Sequence, residues 1–154
     1  MYKRQLLGLQ TYANILRMLY IVLATMLMYL IHLMLPTLLT FRNNPDYSNV
    51  KQLINRDTNI PNHVIRIHAA TENLKESLPA FLALAILSIS LDVQTNNASA
   101  YGWLFLRVIF AVIYISGFNL KPANAAGHRS QPLRSFVWAL SIVALFDMGF
   151  NFIR

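Results

Sequence analysis

The stretch RIHAATENLKESLPAFLALAIL, residues 66–87, begins as a charged helix surface and ends as a membrane span. Arg66, His68, Glu72, Asn73, Lys75 and Glu76 run into the apolar part with no Gly, Pro or turn cluster before Pro79. The apolar run 78–91 covers roughly 21 Å at ~1.5 Å per residue, short of the ~30 Å of bilayer hydrocarbon. The helix must therefore extend backwards through Glu76 and Asn73, so polar turns belong to the span and lie toward one edge of the bilayer.

Composition supports a membrane setting. Of 154 residues, 56% are hydrophobic and 12% charged, against about 25% charged in a typical soluble domain. A soluble chain of this size could not hide so much apolar side chain from water. The net charge of +7 is scattered around the apolar runs. It is not gathered into a basic stripe with interleaved aromatics, which argues against nucleic acid. The chain has no cysteine, which excludes disulfides, thiolate metal sites and a cysteine nucleophile.

Three further apolar segments follow the same logic. The first is retained as a helix: its apolar run, 18–39, is longer than a signal-peptide core, and no clear small-residue cleavage site follows it. The third, YGWLFLRVIFAVIYISGFNL at 101–120, carries Arg107, and the fourth carries Asp147. The expected fold is all-α: one domain, 1–154, forming an integral membrane four-helix bundle, up-down-up-down, with spans at about 13–40, 63–91, 100–120 and 134–153. Arg42, Lys51, Arg56, Arg66, Lys121, Arg129 and Arg134 fall in or beside the 1–2 and 3–4 loops. The positive-inside rule puts these loops in the cytoplasm and both termini on the opposite side.

At ~100° per residue, Arg66, Ala69, Asn73, Glu76 and Ala80 form one polar and small stripe, while His68, Glu72 and Lys75 fall on another face. Small residues let a neighbouring membrane helix come close. On the third helix Trp103, Arg107, Phe110, Tyr114 and Gly117 share a face. A membrane-buried arginine costs about 2.5–3.5 kcal/mol on insertion scales unless paired or hydrated, and Glu76 and Asp147 are the expected partners of Arg107. Arg134 and Ser135 stand where the fourth helix begins, beside free backbone N–H groups. These residues describe a polar pocket with an excess of positive charge, suited to a small anionic ligand whose amine Glu76 could hold. The blander readings are snorkelling for Arg66, helix–helix pairing for Arg107, and satisfaction of carbonyls freed at Pro36 for His32.

These residues carry a resemblance. The second helix reads Arg66, Ala69-Ala70, Asn73, Glu76, then Pro79 and Phe81; the third Arg107-Val108, Phe110, Tyr114; the fourth opens Arg134-Ser135-Phe136. The sequence resembles the MAPEG proteins, the membrane-associated proteins in eicosanoid and glutathione metabolism, over nearly its whole length. It departs from them at Ala69, where members carry a second arginine, and at Phe110, where the eicosanoid enzymes carry histidine.

The resemblance implies a homotrimer in membrane lipid, with glutathione bound between subunits near the cytoplasmic side. Arg66, Asn73, Glu76, Arg107 and Tyr114 would form the cofactor-binding set, and Arg134 and Ser135 would lie by the sulfur, where they favour its thiolate. The expected function is a glutathione-dependent transferase or peroxidase acting on a lipophilic small molecule from the bilayer. The alternative is a non-catalytic binding or scaffold protein with a degenerate pocket. A transporter or channel subunit finds no support, since the spans show no paired broken helices and no pore-lining repeat.

Overall fold

The computed structural model describes residues 2–43, 62–121 and 130–154, with side chains described at 9–39, 62–121 and 130–154. Four helices occupy these segments: α1 (Tyr2–Asn43), α2 (Asn62–Ser90), α3 (Asn96–Ser116) and α4 (Pro132–Phe150). The loop cations Lys51, Arg56 and Arg129, and the side chain of Arg42, lie outside the described residues.

Hydrogen bonds at the two ends of the bundle fix the topology. At one end Thr11 of α1 donates to Asp92 after α2 (3.1 Å), and Asn97 of α3 donates to the Asn14 carbonyl of α1 (3.4 Å). Asn151 after α4 donates to Asn96 of α3 (2.9 Å). At the other end Thr71 of α2 reaches the His32 carbonyl of α1, and Gln131 before α4 reaches carbonyls at the end of α3. Successive helices therefore run antiparallel, up-down-up-down as the sequence predicts.

Helix boundaries follow local chemistry. α1 begins at Tyr2, well before the expected residue 13, because residues 2–12 contain mainly good helix formers and no proline. α3 stops at Ser116 rather than 120. Gly117 adopts φ 73° and its N–H bonds the Ile113 and Tyr114 carbonyls, a left-handed C-cap that glycine adopts without a Cβ penalty. Pro132 opens α4, where its missing N–H costs nothing.

The core joins all four helices. Ile21, Leu74, Phe81, Ala85, Trp103 and Met148 are buried in one cluster, and Phe81 and Trp103 stack with centroids 4.1 Å apart and planes 8° apart. Large apolar side chains also point outward: Leu27 is 60% exposed, Phe105 66% and Phe146 64%. In water this surface would drive association; in hydrocarbon it is solvated. Leu9–Leu39, Asn96–Ser116 and Pro132–Phe150 are each long and apolar enough to cross a membrane. α2 is not among them, because its polar first half lowers its hydropathy, but its 29 residues extend about 43 Å. It packs among the other helices through Val64, Ile67, Leu74, Leu78 and Phe81, with Glu76 exposed on the opposite side.

Several buried polar groups are paired across helices, while Thr25 Oγ1, Trp103 Nε1 and Arg107 Nε are buried without a hydrogen-bond partner. Pro36 has no N–H, so the His32 carbonyl, four residues earlier in α1, loses its helical partner. Thr71 Oγ1 lies 2.9 Å from that oxygen and 2.9 Å from the Ile67 carbonyl of its own helix, and shares its one proton between them. His32 itself bonds the Met28 carbonyl through Nδ1 (2.8 Å), so the side chain that relieves the kink is Thr71 and not His32. At the opposite end the fully buried Asn96 donates to Ser88 Oγ (2.7 Å) and the Met148 carbonyl (3.2 Å).

Thr71→Val is expected to cost about 1–3 kcal/mol, the penalty of an unpaired buried carbonyl, in detergent-driven unfolding. The loss should shrink in a Pro36→Ala background, where an N–H at position 36 can take the His32 oxygen. Equal losses in the two backgrounds would show that Thr71 does not serve that carbonyl.

Candidate functional site

The site is organised around Arg107, which is 2% exposed in the middle of α3. Its Nη1 donates to Asn73 Oδ1 (2.8 Å) and its Nη2 to Ser77 Oγ (2.5 Å). Asn73 and Ser77 are one helical turn apart on α2, so the planar fork of the guanidinium spans them. The rings of Trp103 and Phe110 lie 5.6 and 5.7 Å from the guanidinium carbon, where their faces attract a cation. The sequence expectation that Asp147 would hold Arg107 is corrected here. Asp147 is at the other end of the bundle, accepting from Ser99 Oγ (2.5 Å) and Asn151 Nδ2 (3.5 Å). Glu76 makes no direct ion pair with Arg107, but its charge acts on the guanidinium and Asn73 bridges the two.

That arrangement orients Asn73. Its oxygen is committed to Arg107, so its Nδ2 points outward to Glu76 Oε2, 3.4 Å away. Outside this layer lies a cleft of about 600 Å³. Ala69, Asn73 and Glu76 of α2 form one wall, Arg134, Ser135 and Trp138 of α4 form another, and Phe110 and Tyr114 of α3 form the floor. The Arg134 guanidinium stacks over the Tyr114 ring, 4.5 Å from its centroid. Ser135 is exposed, and its Oγ donates to the Gln131 carbonyl (3.4 Å).

Of the residues singled out in the sequence, Asn73, Glu76, Tyr114, Arg134 and Ser135 line this one cleft. Arg107 stands behind its wall and lines no part of it. Arg66 also lies elsewhere: its guanidinium packs against the Gly117 cap and lines a neighbouring cleft of about 360 Å³. There it sits at the C-terminal end of the α3 dipole, a favourable place for a cation. His68 and Glu72, assigned by helical angle to another face, line the main cleft as well, because the cleft is wide enough to take in two faces of α2. Trp138, one turn beyond Arg134, is a lining residue for which i,i+4 spacing was the available signal.

The charge of the cleft also differs from expectation. Its lining carries two carboxylates, Glu72 and Glu76, with Arg134 and His68. Lys75 pairs with Glu72 at 2.8 Å, as the i,i+3 spacing predicts. The lining is therefore roughly balanced rather than positive, since Arg107 is screened behind Asn73.

The model of the MAPEG family matches residues 18–153. The chain belongs to the MAPEG family. Neither the curated proteins nor the solved structures contain a match. Membership agrees with the all-α architecture and the three apolar spans, and it places the chain among membrane proteins. Ala69, where the resemblance led to the expectation of an arginine, is a half-buried residue of the cleft.

Two glycines in or next to α3 should respond oppositely to alanine. A Cβ at Gly117 would meet Arg66 Nη1 at 2.9 Å and sit on a left-handed backbone, so Gly117→Ala should destabilise by about 1–2 kcal/mol or more. A Cβ at Gly102 meets nothing within 4 Å, and Gly102→Ala should stabilise by roughly 0.5–1 kcal/mol. Unfolding midpoints that move in the same direction would refute the assignment of Gly117 as the cap under Arg66.

Proposed function

We propose that the protein is a membrane-bound glutathione-dependent transferase or peroxidase acting on lipophilic electrophiles. The observation that carries this reading is the single cleft that gathers Asn73, Glu76, Tyr114, Arg134 and Ser135. Its volume of about 600 Å³ falls within the roughly 300–1,000 Å³ of small-molecule sites. The donor set fits a peptide zwitterion: Glu76 is a partner for an ammonium group, Asn73 Nδ2 a donor for a peptide carbonyl or carboxylate, and Arg134 a cation for a second acidic group.

Bound glutathione would supply a thiol that is nucleophilic as its thiolate. Arg134 would hold negative charge near the sulfur, and the Tyr114 ring beneath it keeps the guanidinium from swinging into solvent. The Ser135 hydroxyl offers a second donor on the same turn of α4. Phe110 and Trp138 give the cleft an apolar floor and wall, which exclude water and provide a surface for a lipophilic substrate. Glu76 and Ser135 are exposed at its mouth. A homotrimer, the assembly implied by the resemblance, would cover this mouth with a second subunit and give substrates access from the bilayer. The 1–2 and 3–4 loops would face the cytoplasm, with both termini opposite.

One observation favours a rival reading, a non-catalytic binding or scaffold protein. Ala69 contributes no charge to the cleft, and Glu72 and Glu76 outnumber Arg134. Each charged contact missing from a ligand weakens it by about 1.5–3 kcal/mol.

Conjugation of glutathione to a model aryl halide by the purified protein in detergent separates the two. Glu76→Gln should raise the KM for glutathione about tenfold, and Arg134→Gln should lower kcat by a similar factor. Undiminished rates in both variants would eliminate the mechanism. Glutathione-dependent thermal stabilisation without turnover would favour the rival.

A further inference from the structure

On the far side of the Tyr114–Arg134 stack lies the second cleft, of about 360 Å³. Arg66 and Asn62 of α2 form one side, and Gln131 and Arg134 at the start of α4 form the other. Ile65 and Leu120 give it an apolar rim. Among the described residues its lining holds two guanidinium groups and no carboxylate. The first turn of α4 adds a helix N-terminus, with its partial positive charge. Two like charges on one cleft repel unless an anion lies between them.

A second observation is independent of the charges. Gln131 is only 3% exposed. Its Nε2 is committed to the Ile113 and Phe118 carbonyls, at 3.5 and 3.2 Å, which fixes the amide so that Oε1 is the free end. That Oε1 is buried without a hydrogen-bond partner, and so is the Nε–H of Arg66. Residues lining one cleft thus carry an orphan acceptor and an orphan donor as well as two cations. Leaving such groups unpaired costs about 1–3 kcal/mol each. Both atoms lie beneath the cleft surface, so the ligand is chosen by the two guanidinium groups that line it: an anion with several acceptor oxygens, such as inorganic phosphate or a phosphomonoester.

The geometry points to a phosphate-binding site in this cleft, separate from the pocket that contains Asn73 and Glu76. α2 and α4 begin here and α3 ends here, so the cleft lies at the boundary between hydrocarbon and water. That position suits both inorganic phosphate and the headgroup of an acidic phospholipid whose chains pass over Ile65 and Leu120. Arg66 and Arg134 make the charged contacts, the buried Gln131 backs the cleft, and Asn62 stands at the exposed edge.

The test uses the full chain without glutathione, so its outcome is independent of the catalytic reading. Thermal stability is followed in neutral detergent with inorganic phosphate against chloride at equal ionic strength, and in nanodiscs of phosphatidic acid against phosphatidylcholine. Three variants accompany the native protein. Arg66→Gln removes the contact, Asn62→Asp adds a carboxylate at the edge without touching the Gly117 cap, and Arg154→Gln removes one charge at the far end of the bundle. Saturable stabilisation is expected, with apparent affinity about tenfold weaker in Arg66→Gln and Asn62→Asp and unchanged in Arg154→Gln. Stabilisation by phosphate in detergent assigns the site to a soluble anion, and stabilisation by phosphatidic acid alone assigns it to a lipid headgroup; both support the proposal. No stabilisation by either, or the same response in all four proteins, would overturn it.

Discussion

Arg107 is the constraint on which the rest of the molecule depends. A guanidinium 2% exposed within an apolar helix must find its partners inside the bundle. It finds them on two residues of α2, one turn apart. That requirement sets the rotation of α2 about its axis. With Asn73 and Ser77 turned toward α3, Leu74, Leu78 and Phe81 enter the core, and Glu76 is carried to the edge of the space between α2 and α4. The cleft therefore follows from the way one buried charge is satisfied. Asn73 is part of both structures: its oxygen belongs to the core and its amide nitrogen to the site.

The same economy recurs elsewhere in the bundle. In hydrocarbon no water can take up a stray carbonyl or amide, so each irregularity in one helix needs a side chain from another. Thr71 answers the missing N–H of Pro36, and Gln131 gathers carbonyls at the frayed end of α3. Asn96 ties Ser88, Met148 and Asn151 together at the opposite end. The outward surface, by contrast, is held by nothing specific. Leu27, Phe105 and Phe146 need only an apolar solvent.

Much of this was legible in the sequence. The polar start of α2 running into an apolar end implied a helix longer than its hydrophobic part, and the shared face of Trp103, Arg107, Phe110 and Tyr114 follows from spacing alone. Asn73, Glu76, Tyr114, Arg134 and Ser135 do meet in one cleft. What spacing could not supply was partner choice across helices. Charge alone favoured Asp147 or Glu76 for Arg107, whereas depth and rotation deliver the neutral Asn73 and Ser77. Arg66 shares the angular stripe of Asn73 but sits two turns nearer the end of the bundle, where the Gly117 cap attracts it. Gly117 falls on that α3 face by spacing, but the left-handed backbone there ends the helix and explains why α3 stops early. His68 and Glu72 reach the cleft because its width exceeds one helical face, a property of the packing of three helices that no single helix encodes.

The most direct measurement is an experimental structure of the protein in lipid with glutathione present. The expected result is Arg107 bonded to Asn73 and Ser77, with ligand density in the cleft between Glu76 and Arg134. Arg107 turned to another partner, with Asn73 and Glu76 facing lipid headgroups and no density near Arg134, would contradict it.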